Sequence, residues 1–194
     1  MERMLDWLEA NGIAVSLLDA TGAGEPLYAR LGFGEDDRVC VYHRAYEKQY
    51  RQLPAGVRPM RASDLAAVNT LDRAVYGGDR SVVLGAFLRD FPDRAFIATE
   101  GEAIRGFLFA QEKRIGPWIA TDLSAAEGLL QAASTPPYEE PALVSIPQAN
   151  TEGRALLRRD GFEQLRDLSH MRWGGEGPPA RRTSIYGLGN FTVG

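Results

Sequence analysis

A disulfide framework is excluded at once, because the chain has a single cysteine, Cys40. Its two histidines, His43 and His170, lie too far apart in sequence to read as a zinc site, and no metal is expected. No apolar run approaches the length that spans a bilayer. The opening "MERMLDWLEANG" carries acids throughout and lacks a continuous apolar stretch, so it does not read as a signal peptide. Basic charge is in deficit: 22 Lys and Arg stand against 26 Asp and Glu, a net charge of −4. Neither nucleic acid nor a membrane is therefore expected as a partner. Scarce thiols favour the cytoplasm. What remains is the composition of an ordinary globular protein, 44% hydrophobic and 25% charged. Its 194 residues suit one medium domain or two small ones.

One pattern occurs twice. "LDATGAGEPLYARLGF" (18–33) is echoed by "IPQANTEGRALLRRDGF" (146–162). Each reads as a buried strand, a turn, a short helix and a Gly-Phe stop. The first copy carries Tyr28; the matching position of the second is Leu157. Around these copies the chain divides into a first unit (1–44), a polar linker (45–56) and a second unit (57–194). The second unit reads β-α-α-β-β-β-α-β-α-β-β. "RAFIATE" and "IRGFLFAQE" form a hairpin turning at Gly101. Ser63 is expected to cap the unit's first helix. Val82, Val83, Ala86 and Phe87 are expected to face inward from its second, and "TSIYGLGNFTV" to form the last strand. The first unit holds only helix, strand, helix and strand, the order of the second unit's later part. The expected fold is mixed α/β (α+β): a mostly antiparallel twisted sheet with flanking helices, plus a partial copy at the N-terminal end.

This element order, with the doubled "LDAT…GEPLYARLGF" unit and "IGPWIATD", resembles the GNAT superfamily of N-acetyltransferases. Tandem bacterial members pair a catalytic-type domain with a degenerate one. The resemblance implies acetyl-CoA, lying where two neighbouring parallel strands splay apart. Its pyrophosphate would sit on a Gly-rich loop opening a helix, where backbone N–H groups and the helix dipole stabilise phosphate. Tyr28 matches the tyrosine that protonates the departing CoA thiolate. Thr21 and Asn150 match a helix-start residue near the CoA arm. Leu157 cannot donate a proton, so the chemistry would belong to the first unit.

The departures from that pattern also carry information. The first unit begins inside the helix that should follow the phosphate loop. In the second, "IGPWIATD" runs straight into "LSAAEGLL" with no R-x-x-G-x-G. Ser124 and Glu127 instead form an S-x-x-E capping-box pattern, which uses up the helix N–H groups that phosphate needs. The cofactor-binding residues are therefore unknown, and the missing cradle argues against acetyl-CoA binding by this chain.

Other candidates read as structure. Cys40 reads as a buried thiol. His43 and His170 read as satisfied or exposed strand residues. Arg80 and Trp118 fit packing and pairing as well as a pocket wall. Arg158 and Arg159 suit a helix C-terminus. The pairs Asp36–Asp37 and Glu139–Glu140 read as solvated turns. The functional expectation is acetyl transfer from acetyl-CoA to a small-molecule amine, by a protein inactive or incomplete as this chain. Its start would be a mis-set codon or a truncation. The alternative is a non-catalytic ligand-binding or interaction module of the same fold. The first unit's strands, lacking neighbours, are expected to pair across a homodimer.

Overall fold

The computed structural model describes residues 2–44, 52–138, 140–175 and 180–189. The first stretch holds α1 (Glu2–Ala10), β1 (Val15–Ala20), α2 (Glu25–Arg30) and β2 (Gly34–Arg44). Then come β3 (Val57–Pro59), α3 (Leu65–Tyr76), α4 (Ser81–Asp90), β4 (Ala95–Glu100), β5 (Ala103–Ala110) and β6 (Ile115–Ala120). The chain continues with α5 (Leu123–Ala133), β7 (Ala142–Pro147), α6 (Thr151–Arg159), β8 (Glu163–Gly174) and β9 (Ile185–Gly187). The mixed α/β class and the second unit's element order are as expected. Most of the linker (45–51), Glu139 and the end of the expected last strand (190–193) lie outside the described residues.

The strands form two sheets, ordered β3-β4-β5-β6-β9 and β1-β8-β2-β7. In the second, β2 lies between β8 and β7 and is antiparallel to both: Val39 faces Leu168 on one side and Pro147 on the other. The order is symmetric about the β8–β2 junction, with a strand–helix–strand segment contributing to each half. Thus β2 has partners on both sides within the chain. The outer edge of β1 is unpaired among the described residues.

Alternation along β2 explains why it sits centrally. Cys40 and Tyr42 point into the core under α5 and α6, with Phe96, Leu108, Trp118 and Leu129. Val39 and Val41 point into the core under α3 and α4, with Ile97, Phe107, Phe109 and Ile119. A strand apolar on both faces must be covered on both. A smaller cluster, Leu5, Ala20, Phe33 and Met171, fastens α1 and α2 to the outer part of the shared sheet.

Two local expectations are corrected. The α4 helix buries Leu84 and Leu88, four residues apart, while Val82 is 85% exposed. Val82 therefore faces outward against expectation, while Phe87 packs on the core beside Phe109 as expected. At the start of α3 the acceptor is Asp64, not Ser63. Its Oδ2 takes the Arg61 N–H at 2.7 Å, and the Arg58 guanidinium binds both carboxylate oxygens at 2.8 Å. The bidentate guanidinium holds Asp64 below the usual carboxylate range. Asp64 thus closes the turn that precedes α3, and α3 itself has no side-chain cap.

Candidate functional site

Strands β6 and β7 run parallel and are bridged near their beginnings, at Arg114 and Leu143. Further along they separate, and β9 enters the gap. Trp118 and Ile119 of β6 pair with Gly187 and Ile185. On the other side the Leu188 N–H donates to the Ser145 carbonyl at 2.8 Å. Ile185, Tyr186 and Leu188 are buried, and the Tyr186 ring lies 5.2 Å from that of Trp118. Two glycines permit the approach. A Cβ on Gly116 would lie 2.3 Å from the Leu188 oxygen, and one on Gly187 would lie 2.9 Å from the Ile115 oxygen. Asn150 closes the arrangement from α6: its Oδ1 accepts the Gly153 N–H and its Nδ2 donates to the Ile185 carbonyl.

The start of α5, beside this gap, is satisfied internally. Asp122 is the N-cap, its Oδ1 accepting the Ala125 N–H at 2.9 Å. That backbone hydrogen bond is the main reason its carboxyl is held below the usual range; Thr121 and Arg105 add to it. The expected Ser124–Glu127 box does not form, because the helix begins at Leu123 with Asp122 as its N-cap, which puts Ser124 inside the first turn. Glu127 pairs with Arg159 instead. Burial pushes the Tyr186 hydroxyl up to about 12, helped by the charges of Glu152, Asp122 and Glu127.

Tyr28 sits on α2, half-buried, its ring edge-on to Phe33 at 5.8 Å. It packs with Leu5, Ala20 and Met171. Its counterpart Leu157 is fully buried. Thr21 holds the turn before α2, its hydroxyl accepting the Gly24 N–H.

On the opposite face of the shared sheet lies a cavity of about 890 Å³. Alternate residues of β1 (Val15, Leu17, Asp19) and β8 (His170, Arg172) reach it, while Ala20 and Met171 point to the Tyr28 side. Tyr76, Gly77 and Gly78 from the end of α3 contribute another wall. At its floor His170 Nδ1 lies 2.7 Å from Asp19 Oδ1, and the Asp19 side chain is 6% exposed. The Asp36–Asp37 pair is not a solvated turn. It stands on β2 at a register shift, where Arg182 binds both acids and Arg172 approaches Asp36 at 3.4 Å. Below Tyr76, the buried pair Arg80 and Asp72 makes two hydrogen bonds, at 2.6 and 3.1 Å, and the guanidinium lies 3.7 Å from the Tyr76 ring centre.

Residues 68–187 match the family model of the acetyltransferase (GNAT) domain. The chain belongs to the GNAT acetyltransferase family. The GNAT fold is shared with a Pyrococcus horikoshii protein described as an acetyltransferase, at TM-score 0.81 and 24% identity. That match covers 99% of this chain and 64% of the other. A GCN5-related N-acetyltransferase from Sphaerobacter thermophilus aligns at TM-score 0.60 and 17% identity, over 88% of this chain and 62% of that one. Another from Anabaena variabilis aligns at TM-score 0.55 and 13% identity, over 88% and 48%. This GNAT chain thus spans less than two thirds of each of the three. No curated protein sequence matches it.

Family membership gives the gap between β6 and β7 a meaning. It is where the GNAT resemblance puts acetyl-CoA, and here the protein's own β9 lies in it. The α5 start, where pyrophosphate would sit, carries the Asp122 carboxylate. The residues present in the second unit do not fit the cofactor. Among the described residues no group of His, Cys, Asp and Glu is arranged to hold a metal, and no helix is long and apolar enough to cross a membrane.

Sequence reasoning missed the cavity. Its signal was Asp19, an acid inside the otherwise apolar strand "VSLLDA". In the sequence His170 reads as an ordinary strand residue, because its partner lies 151 positions away.

Proposed function

We propose that this chain is of the GNAT N-acetylating type but does not bind acetyl-CoA by itself, its second unit being a closed, non-catalytic copy. The observation carrying this reading is β9 in the gap between β6 and β7, held by Asn150 and Ser145. Chemistry then falls to the first unit, where Tyr28 is the proton donor to the departing thiolate. The symmetric order β1-β8-β2-β7 supports a duplicated origin, with the first unit a partial copy. The test is calorimetry of acetyl-CoA, with CoA as control, against this chain. No heat at millimolar ligand is expected; micromolar binding would overturn the closed-slot reading. In an acetylating form of the protein, Tyr28→Phe is expected to lower kcat by roughly a hundredfold or more.

The first unit supports a second proposal, a homodimer. Met4, Trp7, Ile13 and Leu27 are all exposed on α1, α2 and the turn before β1, and the outer edge of β1 is unpaired among the described residues. Apolar side chains next to unpaired strand groups favour pairing with a second copy. Light scattering over a dilution series tests it, and a monomer at micromolar concentration overturns it.

A further inference from the structure

The Leu188–Ser145 hydrogen bond joins the two sheets, so that among the described residues β3 and β1 are the outermost strands. The two edges differ in kind. β3 has three residues, Val57–Pro59, and carries Arg58 and Pro59. Short length, a basic side chain and a proline each blunt an edge. β1, "VSLLDA", has six residues, none of them basic or proline, and pairs with β8 without a register shift. Its one charge, Asp19, is turned in toward His170.

The phase of the β1–β8 ladder fixes which groups the open edge offers. The Gly175 N–H donates to the Ala14 carbonyl. Hydrogen-bonded pairs alternate along an antiparallel ladder, so Ser16, Leu18 and Ala20 bond to β8 as Ala14 does. The N–H and C=O groups of Val15, Leu17 and Asp19 therefore point out of the sheet edge. The side chains of the same three residues line the cavity. Leu17 is 46% exposed there, although it is apolar.

We propose that two copies of this chain join edge to edge, β1 running antiparallel to β1 across a two-fold axis at Leu17. This rests on the homodimer reading above and names its surface. The register centred on Leu17 is the one that pairs all three outward residues. Leu17 meets Leu17 of the partner subunit, Val15 meets Asp19 of the partner subunit, and Asp19 meets Val15 of the partner subunit. A register centred on Asp19 would set two carboxylates face to face, which destabilises a strand pair. Centring on Leu17 puts them at opposite ends. Each copy offers one such edge, so the pairing closes at two. The exposed Leu17 side chain is then covered, and each cavity gains Leu17 of the partner subunit beside its own.

The test combines sedimentation with amide hydrogen exchange read by NMR. The acid introduced by Leu17→Glu would lie opposite Arg172 within its own chain and opposite its own copy across the interface. It should raise the dimer Kd at least about tenfold and leave the circular dichroism unchanged. Trp7→Ser, which changes an exposed side chain of α1, should leave the Kd as it is. In the native dimer the Val15, Leu17 and Asp19 amides should exchange within about tenfold of the rates of Ser16 and Leu18, which β8 protects. If Leu17→Glu does not fold, the exchange pattern of the native chain decides alone. Rapid exchange at those three amides in a dimer, or a dimer weakened by Trp7→Ser and not by Leu17→Glu, overturns the edge pairing and leaves the homodimer reading standing. A chain that stays monomeric at micromolar concentration removes both and leaves the edge to a different chain.

Discussion

Asn150 and Ile185 are joined by a hydrogen bond of 3.0 Å, from the Nδ2 of a helix cap to the carbonyl of a strand 35 positions later. The same side chain accepts the Gly153 N–H at 2.8 Å. One amide therefore begins α6 and fastens β9. Asn150→Ala would lose a cap and orphan a buried carbonyl, together about 2–4 kcal/mol. Asn150→Asp would keep the cap and lose the donor, so urea melts should place it between the wild type and the alanine variant.

The contact of β9 with β6 depends on the absence of a side chain at Gly116. Its φ is +141° and its Cβ would meet the Leu188 oxygen at 2.3 Å. Gly116→Ala is expected to cost about 3 kcal/mol or more, from backbone strain and displacement of Leu188. The urea midpoint checks this. Enhanced proteolysis near Leu188 in the variant would indicate that β9 is the element that yields.

The Arg80–Asp72 pair is buried, with side-chain exposures of 7% and 1%. Removing one partner leaves the other charged and unmatched. Arg80→Ala should destabilise by about 3–5 kcal/mol, whereas replacing both residues with apolar ones of similar volume should cost far less. A double-mutant cycle by denaturant melting separates the two outcomes.

Burial pushes the Cys40 thiol up to about 11 from its ordinary 9.0. It should resist iodoacetamide near neutral pH in the folded chain and react fully in urea. The folded state holds this proton more tightly than the unfolded state does. The linkage contribution is therefore intact below pH 9.0 and is lost as pH rises toward about 11. Loss of stability on moving from neutral pH toward acid would not come from this group.

Most of the element order was legible in the sequence because it rests on local periodicity and punctuation. The hairpin at Gly101 and the Gly-Phe stops are properties of a few neighbouring residues. Sheet order is not local. Nothing near Val39 announces that its partners are Pro147 and Leu168, so β2 looked like a strand in want of neighbours. The Asp122 cap was hidden by a better-known pattern starting two residues later, at Ser124. The filled gap was legible only as a missing loop: the absence of a phosphate cradle was visible, but not the strand that lies in the slot. Tyr28 stood out through the repeat, while Asp19 and His170 became meaningful only once β1 and β8 were side by side.

The interleaved sheet sets a timetable for biosynthesis. β2 is synthesised well before its partners β7 and β8, which begin at Ala142 and Glu163. Until then its doubly apolar strand has no sheet to join. Pairings across such separations form slowly and leave strand edges available to wrong partners. The nascent first unit therefore stays exposed to wrong partners until β7 and β8 have been made. A stop codon anywhere before β8 would yield an insoluble product rather than a smaller folded one.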